Sequence, residues 1–301
     1  MPNEQKPCPC DELDRPWCDG WEIHLNETIA QHLIPQDYHV HSLFSCDSES
    51  SMEAICRAAI KAGINELGFS DHFDLHPQEP FPGYLDLEAW WSSLKACQKT
   101  FAGELVIRAG IEVGEPHHYP GRVRTLLKEF PWDFISGALH WVGTICVFDH
   151  AFFSGDENRT YTRYFAELER LVTEGEFDIL AHLDVAKRYG YEQYGHFQPQ
   201  RYEEPIRRIL RRLAERDLAL EINTSTLRRS IQQPCPDATV LAWFLDEGGR
   251  WVTLGSDAHN PADVGFGLSN MKSMVRAAGF EGLARYELRE PSIMSFDGYG
   301  G

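Results

Sequence analysis

Residues 37–48 read DYHVHSLFSCDS, a β-rich run that ends in His39 and His41 and is followed by Asp47. Residues two apart on a strand point to the same side, so both imidazoles face one space and can reach one metal ion. The same pattern is also typical of a half-buried polar pair without any metal. The surrounding sequence therefore has to decide between the two interpretations.

From residue 37 onward, short β-rich runs alternate with helical patterns, as in βα units built around a parallel sheet. Seven such pairs follow one another without a Pro/Gly-rich linker. We therefore predict a single-domain α/β fold, a closed or nearly closed (β/α)7 barrel. The predicted strands are Asp37–His41, Glu66–Asp71, Leu105–Val113, Phe134–His140, Phe177–Asp184, Leu218–Thr224 and Trp251–Asp257. The predicted helices are 51–62, 86–102, 120–129, 158–174, 201–216, 237–247 and 262–279.

Imidazole and carboxylate residues stand at or just after six of these seven strand ends. In a β/α barrel those ends converge on the face that carries the active site. Each residue alone has a structural explanation, but the repetition at so many ends predicts a metal centre. The candidate ligands are His39, His41, Asp47, His72, Glu112, His140, His182, Asp257 and His259.

The number and type of these ligands narrow the metal. Nine ligands are too many for one ion, so we predict two or three divalent ions. No Cys stands at a strand end, and imidazole with carboxylate favours Zn, Mn or Fe over a thiolate site or an all-oxygen Mg or Ca cage.

The charge balance limits the partners of this protein. The chain has 301 residues, with 28 Lys and Arg against 46 Asp and Glu, which gives a formal net charge of −18. Nucleic acid and anionic membranes are bound through Lys and Arg, so neither is expected as a partner.

The distribution of apolar residues and cysteines indicates the compartment. No apolar run approaches the roughly 18 residues of a membrane helix. The polar first twenty residues predict no secretory signal. The eight Cys are scattered as reduced core thiols are, so we expect a cytoplasmic protein.

Both ends of the chain lie outside the repeating pattern. We predict an irregular N-terminal extension over 1–36, the barrel over 37–290 and a C-terminal tail over 291–301. The extension contains Cys8, Cys10, Cys18 and His24. This spacing fits no common zinc motif, which leaves a zinc knot open beside a lid or an oligomer contact.

The sequence resembles the PHP superfamily of metal-dependent phosphoesterases, and within it the histidinol-phosphate phosphatases. The similarity follows the family order from residue 37 to about 280, and the last three of the segments below point to histidinol-phosphatases in particular. The matching segments are DYHVHSLFSCDS (37–48), GFSDHFD (68–74), AGIEVGE (109–115), WDFISGALH (132–140), FDILAHLDVAKRYG (177–190), LEINTST (220–226) and TLGSDAHNPADVG (253–265).

The resemblance implies a distorted barrel of seven βα units and an assignment of the ligands to three ions. One ion would be held by His39, His41, Glu112 and Asp257, and a second by the bridging Glu112 with His140 and His182. A third would be held by Asp47, His72 and His259. Every ligand position of the family is filled in this sequence.

The implied reaction is phosphomonoester hydrolysis, in which a hydroxide that bridges two ions attacks phosphorus in line. The substrate would be L-histidinol phosphate, as in histidine biosynthesis. Another small phosphorylated metabolite or a nucleotide is the alternative substrate. A non-catalytic metal-binding module is the alternative class, and no oligomeric state is predicted.

Further polar residues near the strand ends are candidates for handling substrate or protons. A guanidinium matches phosphate oxygens bidentately, so Arg188 and then Arg228 are predicted to hold the phosphate. His117 and His118 border the site and are either substrate contacts or exposed loop residues. Asp71 and Asp184 are predicted to orient histidine rings or move protons, with a purely structural role as the alternative.

Overall fold

The computed structural model describes residues 34–296, in which strands and helices alternate in the predicted order. The strands are β1 (Ile34–Val40), β2 (Ile64–Phe69), β3 (His72–Phe73), β4 (Val106–Gly114), β5 (Phe134–Ala138), β6 (Trp141–Val142), β7 (Ile145–Cys146), β8 (Ile179–Leu180), β9 (Ala219–Asn223), β10 (Val252–Gly255), β11 (Gly282–Glu287) and β12 (Glu290–Ser295). The helices are α1 (Met52–Lys61), α2 (Leu87–Thr100), α3 (Pro120–Glu129), α4 (Glu157–Glu174), α5 (Lys187–Tyr194), α6 (Glu203–Glu215), α7 (Ala238–Asp246) and α8 (Leu268–Ala277).

Seven parallel strands form the wall of a barrel in the order β1-β2-β4-β5-β8-β9-β10, with β3 paired to the end of β4. The barrel closes where β10 meets β1 through a single parallel bridge between Val40 and Ala258. The N–H of His41 donates to the carbonyl of Ala258 at 2.8 Å, and the N–H of Asp257 donates to that of His39 at 2.7 Å. The predicted seven-unit barrel is therefore confirmed.

The helices cover the outside of the barrel through apolar faces. In α6, the residues at i, i+3, i+4 and i+7 are buried, and the arginines of the opposite face pair with acidic neighbours, as Arg207 does with Glu203 and Glu247. Among the helices of residues 34–296, none combines the length and apolar content that crossing a bilayer requires.

The helix predicted from residue 262 begins only at Leu268. Gly265 and Gly267 adopt φ angles of 76° and 73°, which no right-handed helix accommodates. Helix α5 is not among the predicted helices, because its sequence carries too few apolar residues to show a 3.6-residue period.

A β11–β12 hairpin, for which the sequence pattern gives no strand prediction, packs under the N-terminal ends of the barrel strands. Tyr286 and Ala284 join a buried cluster with residues from β1, β5, β8 and β9. Gln36 donates to the carbonyl of Ala284 at 2.8 Å, and Tyr286 donates to that of Asp178 at 3.2 Å. Cys8, Cys10, Cys18 and His24 of the predicted extension lie outside the described residues.

The aromatic ring of Phe134 fills the barrel interior next to two glycines. A Cβ placed on Gly68 would lie 2.6 Å from this ring, and one on Gly110 would overlap it still more. The ring also stacks on Tyr38 at a centroid distance of 4.9 Å. Gly68 on β2 and Gly110 on β4 therefore make room for the ring because they have no side chain. Neither position needs the backbone conformations that are open to glycine alone.

We predict that Gly110→Ala lowers the free energy of unfolding by about 1–3 kcal/mol, because the added methyl group overpacks the barrel interior. The measurement is urea unfolding followed by circular dichroism. Gly121→Ala in α3 is the control, since a Cβ placed there has no neighbour within 4 Å apart from the adjacent backbone of its own helix. Equal effects of the two substitutions would contradict the packing explanation.

Candidate metal centre

The C-terminal ends of the barrel strands bring all nine predicted ligands into one continuous cluster. Each predicted ligand belongs to at least one group of three or more residues whose donor atoms lie close enough together to hold one metal ion. Parallel strands place their C-terminal ends on the same face, so residues more than 200 positions apart meet there.

The first group joins the end of β1 to the end of β10. The Nε2 atoms of His39 and His41 lie 3.7 and 3.4 Å from Asp257 Oδ1. The same two atoms lie 3.5 and 3.7 Å from Glu112 Oε2, on β4. Two imidazoles therefore face two carboxylates from opposite sides of the barrel mouth.

Glu112 continues into the second group through its other oxygen. Its Oε1 lies 2.8 Å from His182 Nε2 and 3.5 Å from His140 Nε2. The Oε2 atom faces His39 and His41, and it is also 3.0 Å from His72 Nδ1. Glu112 is only 1% exposed and so stands as a buried carboxylate between two sets of histidines.

The third group lies at the rim of the barrel. Asp47, in the loop after β1, has its Oδ2 2.9 Å from His259 Nε2 and 3.5 Å from His72 Nε2. The ring of His259 stacks on that of His41 at a centroid distance of 4.1 Å, which links this group to the first.

Several donor atoms of the cluster fit metal ions because they form no hydrogen bond within residues 34–296. His39 Nε2, His41 Nε2 and Glu112 Oε2 are buried and have no hydrogen-bond partner. An unsatisfied buried polar atom costs about 1–3 kcal/mol, so a protein rarely keeps several in one place without a ligand. Their orientation toward a shared space is the arrangement expected of metal ligands.

The charges around this space favour cations. Burial would lower the pKa of His72, but Asp47, Asp74 and Glu112 raise it well above its ordinary value. Burial would raise the pKa of Glu112, but His39 and His72 hold it well below its ordinary value. For His41, burial together with His259 and His72 lowers the pKa to about 3, which leaves the neutral imidazole that binds metals.

Glu221 supports the ligands from behind, a role that the sequence pattern does not reveal. Its Oε1 lies 2.7 Å from His39 Nδ1, and its Oε2 accepts the N–H of His182 at 2.7 Å. This bond helps hold His182 at a φ of 25°, a region that non-glycine residues seldom adopt. Gly255 makes the approach possible, since a Cβ there would lie 2.5 Å from His39 Cβ and would overlap Glu221.

Asp74 is a second residue that the sequence pattern misses. Its Oδ1 lies 3.2 Å from His140 Nδ1, and its Oδ2 lies 3.4 Å from His72 Nδ1. A carboxylate on the other ring nitrogen fixes the orientation of a metal-binding imidazole. The sequence did contain one signal for Asp74 and Glu221. Both are charged residues within strand-end motifs, and a buried charge needs a partner.

The carboxylate of the predicted catalytic residue Asp71 is linked to the cluster through a serine. Its carboxylate accepts from Ser45 Oγ and from Trp90 Nε1, both at 2.8 Å. Ser45 Oγ in turn lies 3.0 Å from His41 Nδ1. Asp71 is therefore connected to the ring of His41 by a chain of two hydrogen bonds.

The predicted catalytic residue Asp184 is engaged in a buried ion pair. Its Oδ2 lies 2.7 Å from Lys187 Nζ, which also donates to the carbonyl of Pro234 at 2.6 Å. Within residues 34–296, Asp184 makes no hydrogen bond to an imidazole of the cluster. The contacts thus fit the structural alternative for this residue and do not support a role in orienting histidines.

Arg228 and Arg229 lie near Asp257, and Arg188 lies close enough to Arg229 to affect its pKa. Burial, together with the positive charges of Arg188 and Arg228, lowers the pKa of Arg229, and Asp257 acts in the opposite direction. Arg228 donates to the carbonyls of Ser256 and Asp257 at 2.8 and 3.0 Å, so its guanidinium supports the end of β10. In the described part of the chain, neither Arg188 nor Arg229 forms an ion pair with a carboxylate.

The predicted substrate contacts His117 and His118 point elsewhere. Both Nε2 atoms lie 2.8 Å from Oε1 of Glu167, on α4. Substrate would have to displace these contacts to reach either ring.

A cavity of about 320 Å³ opens next to His72 and Asp74. Its wall includes the half-buried Glu79 and the rings of Phe81 and Tyr84, which are 52% and 51% exposed. The cavity therefore offers apolar surface and carboxylates directly beside the cluster of ligands.

Residues 37–225 match the PHP domain family. Histidinol-phosphatase from Lactococcus lactis subsp. lactis (strain IL1403) is 29% identical over 261 residues, which cover 83% of this chain and 93% of that protein. A protein named probable histidinol-phosphatase from Deinococcus radiodurans is 30% identical over 255 residues, which cover 81% of this chain and 93% of that protein.

The fold is also similar to a solved structure, that of histidinol phosphate phosphatase from Lactococcus lactis in complex with Zn, L-histidinol and phosphate. The TM-score is 0.79 at 27% sequence identity, and the similarity covers 86% of this chain and 99% of that one.

We predict that Glu112→Gln reduces the number of bound metal ions by more than one per chain, because one side chain faces both sets of histidines. The measurement is metal content by mass spectrometry after reconstitution with Zn²⁺ and gel filtration. Glu66→Gln is the control, since Glu66 is equally buried but pairs with Arg108 and Tyr38 away from the cluster. Unchanged metal content in Glu112→Gln would rule out the bridging position.

Proposed function

This chain belongs to the PHP domain family, and we propose that it is a metal-dependent phosphatase that hydrolyses L-histidinol phosphate to L-histidinol and phosphate. The observation that carries the proposal is the cluster of nine imidazole and carboxylate ligands with unpaired arginines at its rim. The relatives named above support the substrate, and a place in histidine biosynthesis follows from it.

The donor atoms fit two or three ions of the Zn, Mn or Fe type. Bound ions would supply Lewis acidity, which activates water and neutralises charge on phosphate oxygens. The proposed ligands are His39, His41, Glu112 and Asp257 for one ion, Glu112, His140 and His182 for a second, and Asp47, His72 and His259 for a third.

Arg188 and Arg229 are proposed to bind the phosphate. A guanidinium without a carboxylate partner keeps its donors free for phosphate oxygens, which it matches bidentately. Arg228 uses two donors on backbone carbonyls and is proposed to position the end of β10 beside them.

The cavity beside His72 is proposed to receive the alcohol part of the substrate. L-Histidinol carries an ammonium group and an imidazole, and the cavity offers Asp74 and Glu79 with the rings of Phe81 and Tyr84. Carboxylates attract the ammonium group, and aromatic faces bind both a cation and a flat ring.

The substrate is tested by comparing kcat/KM for L-histidinol phosphate with that for glycerol phosphate, p-nitrophenyl phosphate and a nucleoside monophosphate. We expect L-histidinol phosphate to be preferred by about 100-fold or more, because the cavity pairs with groups that the others lack. A better ester from the panel would assign the site to another small phosphorylated metabolite or nucleotide. Absence of turnover on every ester by Zn²⁺- and Mn²⁺-loaded protein would favour a non-catalytic metal-binding module.

We predict that Arg229→Ala lowers kcat/KM by the equivalent of about 2–3 kcal/mol, the scale of a lost charge-assisted hydrogen bond, and leaves the metal content unchanged. Steady-state kinetics and metal analysis of the same preparation give both quantities. Arg250→Ala is the control, because Arg250 is 69% exposed and stacks on Trp251 at the opposite end of β10. An Arg229→Ala enzyme as active as Arg250→Ala would exclude Arg229 from phosphate binding.

A further inference from the structure

Two consecutive histidines and a glutamate form a cluster on the outer side of the barrel. His117 and His118 lie in the loop between β4 and α3, and Glu167 lies in α4, about fifty positions later. Both Nε2 atoms are 2.8 Å from Glu167 Oε1, and one donor atom of each residue lies within 4.8 Å of the others.

The backbone directs both rings at the same oxygen. The N–H of His118 donates to the carbonyl of Glu115 at 2.9 Å, so the segment turns here and does not run as a strand, in which neighbouring side chains point to opposite faces. The two rings therefore lie side by side, with centroids 4.1 Å apart. Two imidazoles and a carboxylate are a ligand set of zinc and related transition metals.

The three side chains of the cluster differ in burial, so that the cluster is fixed on one side and accessible on the other. The His117 side chain is fully buried and that of Glu167 is 15% exposed, while that of His118 is 39% exposed. Two ligands are thus held in place by packing, and the third leaves a side on which an ion can enter and keep a water molecule.

Arg170 competes for the same carboxylate. Its Nη1 lies 3.2 Å from both oxygens of Glu167, and its Nη2 lies 3.7 Å from Glu174 Oε2. Since Arg170 is half exposed and already reaches Glu174, its side chain can leave Glu167 without losing every acidic partner.

We propose that His117, His118 and Glu167 form a separate site for a divalent transition-metal ion of the Zn²⁺ type, which fastens the loop after β4 to α4. None of the nine proposed ligands of the barrel centre belongs to this group. The same loop carries Glu115, whose carboxylate accepts the N–H groups of His140 and Trp141 at 2.6 and 2.9 Å. An ion at this site therefore steadies the segment that supports His140.

The proposal is tested on the full chain by Zn²⁺ titration and metal analysis after reconstitution of the barrel centre. His118→Ala and Glu167→Gln are each expected to bind one Zn²⁺ fewer per chain than the parent. His150→Ala is the matched control, because the His150 side chain is 75% exposed and lies 3.8 Å from the single carboxylate that it contacts within residues 34–296, that of Glu192, so the metal content of this variant should equal that of the parent. Metal ions bound at other sites of the chain are present equally in the parent and in the variants, so they do not affect the difference between them.

Hydrogen exchange adds a readout that activity does not provide. In the parent, Zn²⁺ should slow deuterium uptake in residues 115–119, and His118→Ala should abolish this effect. Arg170→Ala should tighten binding of the extra ion about two- to fivefold, the range of a lost exposed ion pair.

The proposal is overturned if the parent, His118→Ala and Glu167→Gln bind the same number of ions, because the cluster is then hydrogen-bonded only. Weaker binding of the extra ion in Arg170→Ala would likewise exclude Glu167 as its ligand. His118 lies at the surface, so His118→Ala decides the outcome if Glu167→Gln fails to fold.

Discussion

The contact between β10 and β1 is the constraint on which the site depends. Two backbone hydrogen bonds, from His41 to Ala258 and from Asp257 to His39, join strands that lie more than 200 residues apart in the chain. The residues that make these bonds are themselves candidate ligands or their neighbours. The contact that closes the barrel therefore also brings His39 and His41 next to Asp257.

The interior of the barrel has two ends of different chemistry. Under the strand N-termini, the β11–β12 hairpin and the rings of Tyr38, Phe134 and Tyr286 form an apolar plug. At the C-terminal ends, buried imidazoles and carboxylates face one another with several atoms left without partners. The burial of that polar surface is unfavourable by itself, and bound cations would offset its cost.

The negative charge of the chain contributes little to this centre. Only three of the 46 acidic residues are among the proposed ligands, while Asp74 and Glu221 support them from behind. The rim adds positive charge from Arg188, Arg228 and Arg229 beside this cluster of carboxylates and imidazoles.

The fold class and the resemblance to the PHP family were predictable from the sequence and are confirmed, and the ligand types at the strand ends were visible there too. These features are local: they depend on the alternation of apolar residues and on the position of a histidine after a strand. They can therefore be recognised from the sequence alone. The partners of Glu221, Asp74 and His117 were decided only by the tertiary structure. Those partners lie on other strands or helices, and which side chains meet depends on how the closed barrel sets each element against its neighbours.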